Sequence, residues 1–442
     1  MVGRRAIGGV FIVALVLGGA SLVLRDTASQ TAVDPPIAPQ PIPAPGSATG
    51  SDQGFLYGRI TATDGAIYEG RLRWGRDQEA FWGDYFNGAK DENPWAVHAS
   101  LAQKSRQHSP IEIFGLEIGD RDRSLDRQFM ARFGDIAGIE ARGEDVRVTL
   151  KSGTTVLLDR FEAGDIDDGV RVWDVRRGVA DLDGRRIRSI EFLPTMSLRE
   201  PPARLYGTVH TRTGDFTGYL QWNRQDCTGG DELSGRTAGG DASLRYDSIR
   251  AIAHQSRDSV LVTRLDGREM VLSGTRETGD GHLGIYVDDR RYGRVLVSWD
   301  AFERVDFSRA GSGPAYGDFP SGRPLAGSVT TGDGRRLVGW LVYDFDESET
   351  TDTLDAPREG VDYNIPFSLI SAVVVNSGTG DGAGRATVIL HGGETLELAA
   401  TGDLGERNAG LLIFADSRAE PDYVPWTAVR RIDFDAGVKR DP

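Results

Sequence analysis

The chain has one cysteine, Cys227, in 442 residues. A single thiol excludes any intrachain disulfide, and with it the disulfide-stapled class of small exported domain. Its neighbours Asp226, Thr228, Gly229 and Gly230 read as a loop, with no cation beside the thiol to activate it. Lysine is nearly missing. Lys90, Lys104, Lys151 and Lys439 are the only ones among 51 basic residues, and the rest are arginine. Positive charge is outweighed as well: the formal net charge is −15. That balance excludes nonspecific attachment to nucleic acid or to an anionic membrane surface. The six histidines (His98, His108, His210, His254, His282, His391) are scattered, with no pair at metal-ligand spacing. A Gly-x-Ser-x-Gly elbow, a His-Glu-x-x-His pair and a Walker loop are all absent. The expectation is a protein that is not an enzyme and has no catalytic residue, no metal and no cofactor. Its binding residues stay unassigned.

Long apolar runs are missing from all but one place. Ala6 to Leu24 carries no charge and is rich in Val, Leu, Ile and Gly, behind Arg4 and Arg5. The span is long for a cleaved signal and just long enough to cross a bilayer of ~30 Å. Arg25 and Asp26 follow it, and Ala28-Ser29-Gln30 makes a poor cleavage site. Residues 1–25 therefore read as an N-terminal membrane anchor (a transmembrane helix) or a signal segment, the uncleaved anchor being preferred. The positive-inside rule places the body outside the cytoplasm. The expected address is the bacterial inner membrane with the body in the periplasm, or a secreted or periplasmic protein if the segment is cleaved. Residues 26–52 hold the run Asp34-Pro35-Pro36-Ile37-Ala38-Pro39-Gln40-Pro41 and read as a proline-rich linker.

What the sequence does have is glycine, 57 of them, and one pattern written three times. Tyr68-Glu69-Gly70-Arg71-Leu72-Arg73-Trp74 returns as Phe216-Thr217-Gly218-Tyr219-Leu220-Gln221-Trp222 and as Leu337-Val338-Gly339-Trp340-Leu341-Val342-Tyr343. Each copy follows a turn (Asp64-Gly65, Thr213-Gly214-Asp215, Asp333-Gly334) and alternates with period 2, the signature of a half-buried strand. Leu72, Leu220 and Leu341 fall on the inward stripe, and the glycine beside them suggests a bend or a close backbone approach. Each copy is preceded by a Gly-containing strand: Tyr57-Gly58, Tyr206-Gly207, Ala326-Gly327. Further on come Ile136-x-x-Ile139, Ile249-x-x-Ile252 and Ile370-x-x-Val373, a second hairpin, and a closing strand ending in Phe192, Phe307 or Phe434. Trp299 and Trp426 stand eight residues before the last two, where the first copy has Gly184. The fold expected is all-β, in three tandem repeats: 53–197 with an insertion at about 81–132, 198–311, and 312–442.

The pattern Asp64-Gly65…Gly70…Ile136-x-x-Ile139, with its counterparts, resembles small SH3-like and Sm-like β-barrels. The resemblance implies two such barrel modules in each repeat. It implies no RNA binding, since the Sm-type RNA-contacting motifs are not visible. Within the insertion, Val97 to Lys104 has helix-like spacing and Ile111 to Ile118 alternates like an extra strand. Phe129-Met130-x-x-Phe133 reads as a cover for a barrel mouth.

Candidate chemistry is thin. Asp165-Ile166-Asp167-Asp168-Gly169 resembles the start of a calcium loop without the bidentate Glu that should follow. Thr278-Gly279-Asp280-Gly281, Gly402-Asp403 to Gly410, and Asp344 to Glu349 are further acidic loops. Tyr219 and Trp340 have outward parity, and Trp82 and Trp95 lie in the insertion. They read as contacts between repeats, or as stacking surfaces for a glycan or partner. The leading functional expectation is a non-catalytic, membrane-tethered extracytoplasmic binding or scaffold protein. Its partner would be a protein or cell-envelope component, with membrane contact through the N-terminal segment and no nucleic acid. A glycan- or cell-wall-binding protein and a carboxylate-dependent hydrolase are the alternatives.

Overall fold

Strands account for nearly all regular structure. The computed structural model describes residues 54–435 apart from 76–77, 91–92, 99–111, 114–115, 118–127, 161–163, 197, 199–201, 311–312, 377–383 and 416–419. The apolar segment 1–25 and the linker 26–52 lie outside the described residues. Among the described residues no helix is long and apolar enough to cross a membrane. Residues Gly50–Pro442 make up one compact unit.

The first strand group is β1 (Tyr57–Ala62), β2 (Ile67–Trp74), β3 (Tyr85–Ala89), β4 (Glu112–Ile113), β5 (Leu116–Glu117) and β6 (Gln128–Arg132). It continues with β7 (Ile136–Arg142), β8 (Asp145–Leu150), β9 (Thr155–Asp159), β10 (Val170–Asp174), β11 (Gly178–Leu182) and β12 (Ile187–Phe192). The second is β13 (Tyr206–Thr211), β14 (Gly214–Gln221), β15 (Glu232–Thr237), β16 (Gly240–Arg245) and β17 (Ile249–Ser256). It ends with β18 (Ser259–Arg264), β19 (Glu269–Ser273), β20 (Ile285–Asp289), β21 (Gly293–Val297) and β22 (Phe302–Phe307). The third is β23 (Ala326–Thr331), β24 (Arg336–Tyr343), β25 (Thr353–Arg358), β26 (Val361–Pro366) and β27 (Ile370–Val375). It ends with β28 (Arg385–Leu390), β29 (Thr395–Ala399), β30 (Leu411–Phe414), β31 (Asp422–Val424) and β32 (Val429–Phe434).

Eight strands of each group pair in the same antiparallel order. They read β9-β8-β7-β12-β1-β2-β10-β11, then β19-β18-β17-β22-β13-β14-β20-β21, then β29-β28-β27-β32-β23-β24-β30-β31. The two sequence halves of each group are joined through one ladder, because β1, β13 and β23 pair on one side with β12, β22 and β32.

The centre of each sheet explains the repeated glycines. Gly58 lies opposite Gly70, Gly207 opposite Gly218, and Gly327 opposite Gly339. The row runs on to Phe192, Phe307 or Phe434 on one side and to Asp174 or Asp289 on the other. A Cβ on Gly218 would sit 1.9 Å from the Asp288 carbonyl oxygen, and one on Gly70 1.9 Å from that of Trp173. The strands cross too closely there for any side chain.

The Ile-x-x-Ile spacing has a matching cause. Strict alternation would send residues i and i+3 to opposite faces. A register shift between Ile136 and Gly138, Ile249 and Ala251, and Ile370 and Ala372 marks a bulge that restores parity. Both members of each pair then point inward, and all six are 2% exposed or less. Leu72, Leu220 and Leu341 are buried opposite Val172, Val287 and Ile413. Each such leucine contributes roughly 2 kcal/mol of burial.

The three groups do not have three separate cores. The second and third share one apolar cluster, from Leu205 to Phe434, and the first has its own. The sharing follows from β26, which leaves its own group to pair with β21.

The insertion is narrower than the sequence suggests. β3 and β6 form a hairpin whose counterparts are β15–β16 and β25–β26. Only the connection between β3 and β6 is extra. Phe129 and Phe133 do not cover a mouth, because both are buried in the first core. The 111–118 stretch makes a two-residue ladder, β4 with β5. Within the extra connection, Pro94–His98 forms a 3-10 helix that lays Trp95 5.9 Å from the ring of Phe414. Lys90 pairs with Asp346, and Asn93 Nδ2 donates to the Phe345 carbonyl. The first group is thereby tied to the third. Trp95→Ala is expected to cost about 1 kcal/mol and to speed proteolytic nicking between β3 and β6 several-fold. Unchanged nicking in a timed digest would contradict this docking.

Candidate functional site

The acidic loops compared with a calcium loop contain or adjoin carboxylates that clamp strands together. Asp165 accepts the Asn87 backbone N–H at 2.7 Å, Glu277 that of Ser234 at 2.5 Å, and Asp403 that of Asp355 at 2.6 Å. The carbonyls of the same three residues accept Trp74 Nε1–H, Trp222 Nε1–H and Tyr343 O–H. Each acid thus fixes the aromatic at the end of β2, just after β14, or at the end of β24 to the hairpin that follows. Burial pushes the Asp165 carboxyl up to about 6. A second trio is Asp84, Asp231 and Asp352. Each accepts two consecutive backbone N–H groups, from Glu79 and Ala80, Cys227 and Thr228, and Ser348 and Glu349. In the Asp344–Glu349 loop, Asp346 takes Lys90 and Glu349 accepts the Thr154 hydroxyl.

The remaining sequence candidates are dispersed. His282 stacks on Trp299 at 4.4 Å and burial pushes it down to about 3, so it is a neutral core ring. His210 lies between Asp215 and Asp306, at 2.9 and 3.2 Å. His98 meets Phe414, and His108 lies outside the described residues. Among the described residues no group of three or more His, Cys, Asp or Glu side chains converges. Cys227 is fully buried, which drives its thiol well above the ordinary value.

The outward side of the sheets carries a site that sequence reading missed. Arg71, Tyr219 and Trp340 lie opposite Trp173, Asp288 and Phe414. On the adjoining segment stand Phe55, Arg204 and Pro324, in matching bridges to Ala80, Thr228 and Glu349. In the first group the patch closes on itself, the Arg71 guanidinium lying 3.7 Å over the Trp173 ring. In the third it is covered by Trp95.

In the second group the cover is Trp82, whose ring packs on Tyr219 at 3.7 Å between centroids. The inter-repeat contact expected for these aromatics is therefore where two of them are found. Gln221 donates to Asp84, and at the matching position Arg73 lies 3.9 Å from Asp231. The first and second groups exchange the same contact in both directions. Arg71 and Arg73 also share Glu79, which is fully buried.

Under Trp82 a small cavity of about 10 Å³ remains, room for roughly one water-sized group. Arg204, Arg294, Asp288 and Tyr286 line it. The Arg204 side chain is 6% exposed, stands 4.5 Å over the Trp82 ring, and comes no nearer to Asp84 than 3.8 Å. Its Nε, Nη1 and Nη2 have no hydrogen-bond partner. Arg294 is 8% exposed, lies 3.5 Å over the Tyr286 ring, and its Nε has no partner. Burial pushes Asp288 up to about 7 against the pull of Arg132, Arg294 and Arg204. One acid lines the cavity, not a converging pair.

A signal for this site existed in the sequence. Asp288 stands where the other groups have Trp173 and Phe414, and Arg204 where they have Phe55 and Pro324. Arg294 takes the register place of Val179. Three charged residues replace apolar ones at one spot. The chain matches no protein-family model, and no curated protein is similar to it in sequence.

Proposed function

We propose that this chain is a non-catalytic binding or scaffold protein, tethered by its N-terminal apolar segment outside the cytoplasm and built from three copies of one ten-strand unit. The pairing order of each unit is read as the kind found in SH3-like and Sm-like barrels. One observation carries the reading. The acids that repeat from group to group are spent on holding strands together, while the charged residues that break the repeat gather in one aromatic-walled cavity. Conserving a frame while altering one patch suits recognition. The partner is a protein or cell-envelope component. Affinity capture with the full chain is expected to return the same envelope partner in repeated preparations. Turnover of an envelope substrate by the chain would overturn the reading.

The glycan-binding alternative draws on Trp82, Tyr219 and Tyr286, which line the same cavity. Co-sedimentation with peptidoglycan and insoluble polysaccharides tests it, and a chain left wholly in the supernatant ends it.

A further inference from the structure

The cavity under Trp82 has an unusual inventory of polar atoms. Two arginines sit more than nine-tenths buried, and four of their N–H-bearing nitrogens have no partner. Buried polar groups are nearly always hydrogen-bonded, so each exception calls for an occupant. Leaving a buried donor unmet costs about 1–3 kcal/mol, and more when it is charged. A single water offers too few acceptor sites for two guanidinium groups approaching from different strands.

From this geometry we infer that the cavity between Arg204 and Arg294 is a receptor for one carboxylate group of a ligand. The inference rests on the binding reading above and names the chemistry of the same site. Three features select a carboxylate. A guanidinium edge matches its two oxygens as a fork. The space of about 10 Å³ admits little more than one oxygen, so it takes the tip of a flat, narrow carboxylate more readily than that of a tetrahedral phosphate and leaves the rest of the ligand outside. The rings of Trp82, Tyr219 and Tyr286 line the same space and give the carbon atoms behind a carboxylate an apolar surround. Asp288 repels the ligand less as pH falls, because burial raises its carboxyl to about 7, so that it is half ionised at neutral pH and protonated below about pH 6. Asp84 is turned away, accepting the Glu79 and Ala80 N–H groups and Gln221.

Gly83 supplies a clean way to close the cavity. A Cβ built there meets only the Asp288 Cβ, at 3.8 Å, so a side chain would enter the cavity without striking backbone. The test uses the full chain in calorimetric titration with formate, acetate, a short peptide with a free C-terminus, the same peptide amidated, and inorganic phosphate. Saturable binding of the carboxylates is expected, with the amide and phosphate at least tenfold weaker. Acetate and peptide arms separate a free small acid from a chain terminus: the tighter of the two names the source. Gly83→Val is expected to lose the response at least tenfold while keeping its melting temperature without ligand. Arg294→Lys is expected to retain part of the binding and Arg294→Met none. Equal binding of acid and amide, carboxylate binding unchanged in Gly83→Val, or no binding by any carboxylate overturns the inference. In all three cases capture of an envelope partner could still succeed, so the wider reading is tested apart.

Discussion

Gly218→Ala is expected to cost about 3 kcal/mol or more and to leave much of the chain unfolded at ordinary temperatures. The added Cβ would fall 1.9 Å from the Asp288 carbonyl oxygen and 2.6 Å from its carbon. Both are backbone atoms of a paired strand, so no rotamer change relieves the overlap. Moving β20 away would break its ladder with β14, including the Leu220–Val287 pair at the core. It would also pull β21 from β26, and with it the link between the second and third groups. The control is Gly317→Ala. Nothing lies within 4 Å of its Cβ, and its backbone is in an ordinary conformation. That change is expected to stay within about 0.5 kcal/mol of the parent. Urea unfolding followed by tryptophan fluorescence reads both. A Gly218→Ala protein within 1 kcal/mol of the parent would show that β14 and β20 do not cross as closely as described.

The frame was readable from spacing because its causes are local. Alternation fixed which residues of β2, β14 and β24 face inward, and the glycine in each stripe signalled the close crossing of the strands. Ile-x-x-Ile was seen as a marker, but its cause, a bulge after the first isoleucine, is a property of two paired strands and not of one. The role of the acidic loops was not legible for the same reason: Asp165, Asp403 and Glu277, which adjoins the 278–281 loop, have as partners backbone N–H groups about 40 to 80 positions away. Gly184 is a further case. It stands where Trp299 and Trp426 do, and a Cβ there would lie 2.0 Å from the Ile166 carbonyl oxygen. The backbone of the 164–167 turn occupies the space that a tryptophan ring fills elsewhere. The cavity carries no motif of chemistry along the chain. Its residues come from four separated segments, and only their departure from the repeated pattern sets them apart.

Stability is expected to rise on mild acidification, with Asp288 the main source. Its folded-state value of about 7 lies above the ordinary 3.8 because the carboxyl is buried, with Asp84 adding repulsion and Arg132, Arg294 and Arg204 only partly offsetting both. A carboxyl raised in the folded state contributes stability that is fully present below the unfolded value and is lost as pH climbs through the folded one. The window is therefore pH 4 to 7. Between pH 7.5 and 5.5 the gain from this one residue is about 2 kcal/mol. Asp226, pushed up to about 7 by burial and by Glu277 and Asp231, acts in the same direction. Below about pH 4 the trend reverses. Asp306 is held below the ordinary value by the Arg304 fork, with His210 assisting, and protonation there removes favourable pairing. Maximum stability is thus expected near pH 4 and not at neutrality. Asp288→Asn keeps the shape and removes the titration. It should match the parent only near pH 4, exceed it by about 2 kcal/mol at pH 5.5 and by about 4 kcal/mol at pH 7.5, and so reduce the slope between the last two by about 2 kcal/mol. Urea midpoints of both proteins across that range decide the matter. Parallel pH profiles would mean that Asp288 is ionised in the folded state and that the cavity is wetter than its walls imply.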